Sequence, residues 1–385
     1  MRTLVVWGAG RIGRGFVAGL FHEPGWRIVF VDIDRALVDA LNSQKAYTVF
    51  KARKEGIERT RVEGGFSALH TDQTEALSAL FREEGLMLDI AVHEPKLGEV
   101  ADMVAPLIAA RAAAGAGAMD VMMNVNMSTP DAAFIRLMEQ RLTGDALAYF
   151  RRSVGVTGIA AMCISPLATE AMLAEDPLAL LNNAWPEQAI GAAQLRGEPP
   201  RLPHVRLSAD VHAEETRKLY TLNMAHALCC YVGVKRGFAT VIEAMSDASM
   251  RACVRQALEE ASLGLSRAFG FSAEDMADWR EAIVGLLDNP TIDDNLPRLG
   301  ADTRRKLSPA DRLCGPARLC IEAGGRPAAI AAAIRAGFDF RHDDPGTAFV
   351  RALVEEKGLP AAVCEVCGLQ PSDALCRMIL GAESR

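Results

Sequence analysis

The chain has 385 residues, half of them hydrophobic and 24% charged, which suits two domains of ordinary size and excludes wholesale disorder, a collagen-like repeat and a small disulfide scaffold. Forty-two basic against 49 acidic residues give a net charge of −7, so no field gathers a nucleic acid, and no apolar stretch approaches the roughly 20 residues of a membrane helix. Nine cysteines, an odd number without framework spacing, argue against an oxidised secreted fold; the run Leu4–Trp7 enters Gly8-Ala9-Gly10 directly, leaving no room for a signal peptide, and the cytoplasm is expected.

Strand and helix signals alternate through the first half. Thr3–Trp7 is a short apolar run, Gly13–Phe21 reads as a helix, Arg27–Val31 as a strand ending at Asp32, and Arg35–Leu41 as a helix. Tyr47–Lys51 and Ile57–Val62 flank Lys54-Glu55-Gly56 as a hairpin. Met87–Val92, Val121–Val125 and Val156–Ile164 read as further buried strands. Such alternation predicts an α/β fold, a parallel doubly wound sheet with helices on both faces. The break Gly197–Pro203 suits neither a helix nor a central strand, and beyond it helical patterns dominate, from Ala213–Tyr231 to Ala374–Leu380. A boundary near residue 205 is therefore expected between domains 1–205 and 206–385.

The sharpest motif is Gly8-Ala9-Gly10-Arg11-Ile12-Gly13, which follows a strand and opens a helix. Gly8 permits the tight turn, Gly10 lets backbone approach a pyrophosphate, and Gly13 allows close helix–strand packing. The pyrophosphate would meet free N–H groups at a helix N-terminus. Asp32 lies 19 residues after Gly13, where a carboxylate accepts both ribose hydroxyls of NAD and repels the 2′-phosphate of NADP. Domain 1–205 is thus read as a Rossmann-type NAD-binding domain, with Arg35 and Asp34 as neighbours that could alter the ribose site.

In the helical half, Lys218, Asn223 and His226 share an arc of one helix. Taking Lys218 as zero, ideal α geometry places His226 at about 80° and Asn223 at about 140°. The arc includes Leu219 and Leu222, so it is partly buried, and burying such polar groups is costly without partners or a ligand. A solvated face with a snorkelling lysine is the other reading. Lys218 and His226 stand about 12 Å apart along the axis, a span for an extended multi-carbon substrate. Asn124 and Asn126 end a strand, either as turn and helix-start residues or as donors to an oxygen that gains charge. Cys364-x-x-Cys367 lacks a second pair or a nearby histidine, so no metal is assigned. Arg298, Arg304, Arg305 and Lys306 form a basic run, readable as a phosphate site or as solvated surface, and stay outside the catalytic set.

Gly8–Arg14 with Gly15-Phe16, the strand end at Asp32 and Lys218-x4-Asn223-x2-His226 resemble the polyol-specific long-chain dehydrogenases, the mannitol dehydrogenase family. Asn289-Pro290 through Asp294, Arg298, Arg305–Ser308 and Asp311-Arg312 extend the resemblance over essentially the whole chain, and the length suits its phosphate-using branch. The resemblance implies an NAD domain, a mostly α-helical C-terminal substrate domain, a metal-independent mechanism and a site in the cleft between them. It implies that Lys218 is the general base, that Asn223 and Asn126 steady the developing alkoxide, and that His226 orients substrate hydroxyls. The expected reaction interconverts a polyol or polyol phosphate with its ketose. The expected partners are a small molecule and at most a few copies of the chain, without nucleic acid or membrane.

Three positions depart from the family pattern and leave the substrate open. Met162-Cys163 stands where an aspartate–arginine pair is usual, His93-Glu94-Pro95 where glycine-proline is common, and Met123-Asn124-Val125 where cysteine-glutamate precedes Asn126. The alternatives are a β-hydroxyacid dehydrogenase of the 6-phosphogluconate type, a hexuronate dehydrogenase or reductase, and an NAD-binding regulator without catalysis.

Overall fold

The computed structural model describes residues 1–127, 129–292 and 294–381, so Ser128 and Asp293 lie outside the described residues. The chain divides into two compact units, Met1–Glu215 and Thr216–Arg385.

Among the described residues the first unit holds eleven strands: β1 Arg2–Trp7, β2 Trp26–Asp32, β3 Ala46–Arg53, β4 Gly56–Glu63, β5 Phe66–His70, β6 Leu86–Ile90, β7 Met119–Met123, β8 Val154–Ala160, β9 Leu180–Asn182, β10 Gln188–Gly191 and β11 Val205–Ser208. Eight of them form one sheet in the order β11-β10-β8-β7-β6-β1-β2-β5. From β8 to β5 every pairing is parallel. That order reverses direction between β1 and β6, the switch point at which doubly wound sheets bind ligands beyond their carboxyl ends. β6 and β7 are buried along their whole length, as strands covered on both faces must be.

Alternate residues of β1 feed two cores. Val5 and Trp7 pack with the helices Thr74–Phe81, Leu97–Ala113, Pro130–Arg141 and Gly144–Ser153, while Leu4 and Val6 pack with the other face, which includes Phe16, Phe30, Val38 and Tyr47. The expected β3–β4 hairpin is antiparallel, with Tyr47 opposite Val62 and Ala52 opposite Ile57, and β9 adds to β3 in parallel to make a separate three-stranded sheet.

Two differences from the sequence expectation have plain causes. The strand expected over Val156–Ile164 ends at Ala160, because Asn183 captures the next segment: its Nδ2 donates to the Met162 carbonyl at 2.8 Å and its Oδ1 accepts from Ile164 N at 3.0 Å. The chain also makes one more strand after the Gly197–Pro203 break. β11 is four residues long and pairs with β10, too short for a periodic signal.

The second unit is built of helices around Ala248–Phe269. Glu260 of that helix is buried and accepts from the first N–H groups of the helix Ala328–Asp339, Ala329 N at 2.9 Å and Ile330 N at 3.0 Å, supplying a cap that Pro327 cannot. The helix expected from Pro309 begins only at Cys314. Tyr220 Oη donates to the Ala310 carbonyl at 3.0 Å and Asp311 turns its carboxylate onto Arg312 N, so residues 308–313 form a turn. No helix among the described residues is long and apolar enough to cross a membrane.

Candidate active site

The glycine motif lies at the switch point of the sheet. Gly8 has φ +103°, a conformation that glycine adopts without strain, and a Cβ there would lie 2.4 Å from the Ala91 carbonyl oxygen beyond β6. A Cβ on Gly13 would lie 2.1 Å from the Gly8 oxygen and 2.7 Å from Val6 Cγ1, so helix and strand touch through that residue. Gly10 differs, with nothing within 4 Å of its Cβ position. The first helical bond runs from Arg14 N to the Gly10 carbonyl at 3.0 Å, leaving the N–H groups of Gly10 to Gly13 ahead of it. An open backbone surface with N–H groups aimed outward fits a pyrophosphate.

The loop is braced from below by a residue whose part was not legible in the sequence. Arg14 is buried; its Nε donates to the Ala9 carbonyl at 2.6 Å and its Nη1 to the Leu178 carbonyl at 3.0 Å. Arg11 leaves the loop, its Nη1 donating to the Ser165 carbonyl at 2.7 Å, while Ile12 packs against the core beneath.

Asp32 ends β2 beside this loop. Its Oδ2 accepts from Ala9 N at 2.8 Å and its Oδ1 from Asp34 N at 2.9 Å. A carboxylate has about four acceptor sites, so capacity remains for a ribose diol. Asp34 is the cap of the helix Arg35–Gln44, accepting from Leu37 N at 3.1 Å, and Arg35 is paired with Asp72. Both neighbours are therefore engaged elsewhere, and Asp32 faces the glycine loop.

After β7 the chain carries Asn124 and Asn126. Asn124 Nδ2 donates to Asp89 Oδ1 of β6, and Asn126 is exposed on the loop that follows. Asp89 is fully buried; burial raises its carboxyl to about 7 against the opposing pull of Asn124, and its Oδ2 has no partner among the described residues. A folded-state value raised above the unfolded one gives stability that is complete below pH ~4 and is lost as pH climbs through about 7. The native chain should lose on the order of 4 kcal/mol across that window from this group alone. Asp89→Asn keeps the acceptor for Asn124 and removes the titration. Unfolding measured in urea at pH 5 and pH 8 should show a smaller loss in the variant; parallel losses would mean that Asp89 is ionised in the fold.

The departures from the family pattern have distinct settings. Met162 is buried, the Cys163 thiol meets Ser165 Oγ at 3.5 Å, and His93 and Glu94 are exposed ahead of the helix Leu97–Ala113. At the end of this unit Glu215 accepts from Ile159 N of β8 at 3.1 Å and lies against Gly158, where a Cβ would come within 2.4 Å of its Oε1.

Lys218, Asn223 and His226 all lie in the second unit. The helix that carries them runs from Val211 to Lys235, interrupted by an i→i+5 turn over Leu219–Asn223. Such a turn holds one extra residue, so Lys218 and His226 relate as seven α-helical steps rather than eight, about 20° apart in azimuth and about 10 Å apart in height. Counted that way, the 80° of an unbroken α-helix narrows and the lysine and histidine approach one stripe. Asn223 is 9% exposed within the turn, and the Thr221 hydroxyl, which accepts from Trp279 Nε1 at 2.9 Å, donates to the Arg217 carbonyl at 2.5 Å.

Burial holds His226 well below its ordinary range, helped by the charges of Lys218 and Arg312 and opposed by Asp294 and a bond to the Leu222 carbonyl. A neutral imidazole that gives its single N–H to Leu222 presents the other nitrogen as an acceptor, suited to a substrate hydroxyl. The basic run is mostly engaged: Arg298 pairs with Asp294, Arg304 lies 3.9 Å over the Phe349 ring, and Arg305 Nε meets Asp302 Oδ2 at 2.6 Å. Cys364 and Cys367 lie on the helix Leu359–Cys367, and among the described residues no three His, Cys, Asp or Glu side chains are grouped as metal ligands.

Both halves match known domain families. Residues 2–203 match the mannitol dehydrogenase Rossmann domain and residues 210–356 the mannitol dehydrogenase C-terminal domain. The chain belongs to the mannitol dehydrogenase family. Within it, the chain is 34% identical over 376 residues to mannitol-1-phosphate 5-dehydrogenase of Bacillus subtilis strain 168 and 31% identical over 373 residues to that of Bacillus velezensis, with 97% of each chain covered in both. In fold it is similar to a D-sorbitol dehydrogenase in substrate-free form, with a TM-score of 0.80 at 16% identity over 98% of this chain and 91% of the other. It is also similar to the Pseudomonas fluorescens mannitol 2-dehydrogenase in complex with NAD and D-mannitol, with a TM-score of 0.74 at 17% identity over 99% and 94%. The mannitol dehydrogenase fold is thus common to chains of widely different sequence.

Proposed function

We propose that this NAD-dependent dehydrogenase of CH–OH groups interconverts a polyol phosphate, of the mannitol-1-phosphate kind, with its ketose phosphate. The reading rests on one observation above others: Lys218, Asn223 and His226 lie on one helix, with the i→i+5 turn over Leu219–Asn223 separating the lysine from the histidine. Full-length identity of 34% to a mannitol-1-phosphate 5-dehydrogenase supports the phosphorylated substrate.

Gly8–Gly13 and Asp32 would hold NAD, and the bound cofactor would supply the acceptor for the hydride of the carbinol carbon. The chain's own residues handle the proton and the charge. Lys218, in its neutral form, takes the hydroxyl proton. Asn223 and Asn126 donate to the oxygen as it becomes an alkoxide and then a carbonyl, where charge-directed donors are most valuable. His226 accepts from a neighbouring hydroxyl and so selects the stretch of chain that lies along the helix. No metal is needed for these steps. All nine cysteines are free thiols, which suits a reducing compartment, and we place the protein in the cytoplasm.

Following NADH absorbance with hexitols, hexitol phosphates and hexonates, and repeating the assay with NADP, tests the reading. Turnover should be highest with a hexitol phosphate and NAD. Saturable NAD binding without turnover of any member of the panel would overturn it.

A further inference from the structure

The second unit contains a buried guanidinium whose hydrogen bonding is incomplete. Arg312 is 6% exposed. Its Nε donates to Asp311 Oδ1 at 2.6 Å, whereas its Nη2 is buried and meets no acceptor among the described residues. A guanidinium keeps its charge and carries five donors in a fixed fork, and a buried donor left unsatisfied is costly. An acceptor from outside the chain would complete it.

The surroundings say what kind of acceptor. Asp311 is shared with Arg305, whose Nη1 lies 3.5 Å from Oδ2, and Arg305 also holds Asp302. Lys306 is 7% exposed and gives its ammonium to two neutral carbonyls, Leu299 at 2.6 Å and Ala301. Arg305 and Arg312 meet at Asp311, with the Lys306 ammonium close enough for both charges to bear on it. Burial first, and then the charges of Arg312 and Arg305, hold Lys306 down to about 7.

This cluster of basic side chains is fixed beside the proposed catalytic helix. Tyr220, two residues after Lys218, donates to the Ala310 carbonyl at 3.0 Å, and its ring sits so close to Gly315 that a Cβ there would come within 2.3 Å. The 308–313 turn is thereby fastened to the helix of Lys218 and His226. Arg312 is near enough to His226 for its charge to bear on the imidazole.

We propose that Arg312 receives the phosphate group of the substrate through its Nη2 edge. The inference rests on the polyol-phosphate reading above and names the residue that confers the preference for phosphate. A phosphate dianion supplies several acceptors to a planar fork and pairs with its charge; a hydroxyl of a neutral polyol could only satisfy the donor. Arginines 298, 304 and 305, the more conspicuous candidates in the sequence, are engaged with Asp294, Phe349 and Asp302.

The test uses the full chain with saturating NADH and compares kcat/KM for a hexulose phosphate and for the same hexulose without phosphate, in the wild type, R312Q and R312K. The wild type should prefer the phosphorylated ketose, and R312Q should lower that ratio by about 10- to 100-fold, the value of a charge-assisted hydrogen bond. Inorganic phosphate, added with NADH already filling the cofactor's own phosphate site, should raise the Tm of the wild type and leave that of R312Q in place. A ratio and a phosphate shift retained in R312Q would remove Arg312 from this role while leaving the polyol-phosphate reading intact. A wild type that does not distinguish the two ketoses would overturn the phosphate part of that reading and this inference with it. If melting without ligand shows that R312Q does not fold, R312K decides: a ratio lowered about fivefold or more supports the fork geometry, and an unchanged ratio overturns it.

Discussion

A Lys218→Met variant is expected to lose about 10²- to 10⁴-fold in kcat for alcohol oxidation while binding NAD as the wild type does. Methionine keeps an apolar stem in a half-buried position and removes only the amine, so the loss is chemical rather than structural. The hydroxyl proton must leave as hydride is transferred, and a base does this only in its unprotonated form. Wild-type oxidation should therefore rise with pH on its acid side, and that rise should vanish in the variant. His226 does not supply it: burial and two neighbouring cations keep the imidazole neutral well below the range in which a lysine base would titrate. A small alkylamine added to the variant should restore part of the rate. Turnover within tenfold of the wild type near neutral pH would give the proton to another group.

The parts of this molecule legible in its sequence are those written by neighbours along the chain. Gly8 to Gly13 can be read because one short loop carries the turn, the approach and the packing contact together. Asp32 can be read because it ends the next strand, and the long helices because their caps and apolar periods are local. Where a contact spans the chain, the sequence is silent. Arg14 braces the loop through Leu178, 164 residues away, and the Met162 segment is diverted by Asn183.

The helix of Lys218, Asn223 and His226 teaches a different lesson. Its residues were recognisable, but assuming 3.6 residues per turn places Lys218 and His226 on neighbouring stripes. One extra residue in the Leu219–Asn223 turn shifts that count toward a common stripe, and nothing in the run Leu-Tyr-Thr-Leu-Asn announces it. The same holds for Arg312. The sequence draws the eye to the run Arg298, Arg304, Arg305 and Lys306, and only packing shows that Arg312 beyond it is buried and that the arginines before it already have partners. Family membership then separates the chain from the β-hydroxyacid dehydrogenases, which composition and a glycine motif alone could not do.

Two single-methyl substitutions in the glycine loop are expected to part stability from cofactor binding. At Gly13 the new Cβ would lie 2.1 Å from the Gly8 carbonyl oxygen and 2.7 Å from Val6 Cγ1. One neighbour is backbone and the other is a fully buried strand residue, so neither can move aside without opening the β1–helix contact. Gly13→Ala should destabilise the first unit by about 1–3 kcal/mol, as overpacking does, and weaken NAD binding as a consequence. At Gly10 nothing lies within 4 Å of the Cβ position and the φ is not positive, so Gly10→Ala should melt with the wild type in the absence of ligand. The methyl would nevertheless occupy the surface along which a pyrophosphate must pass to reach the N–H groups. NAD titrations followed by fluorescence should show about tenfold or greater weakening in Gly10→Ala, a loss of 1.4 kcal/mol or more by the approximate conversion of affinity to free energy. Equal NAD affinity in Gly10→Ala and the wild type would move the pyrophosphate away from this loop, and an unshifted Tm in Gly13→Ala would mean that β1 and the helix yield where the distances say they cannot.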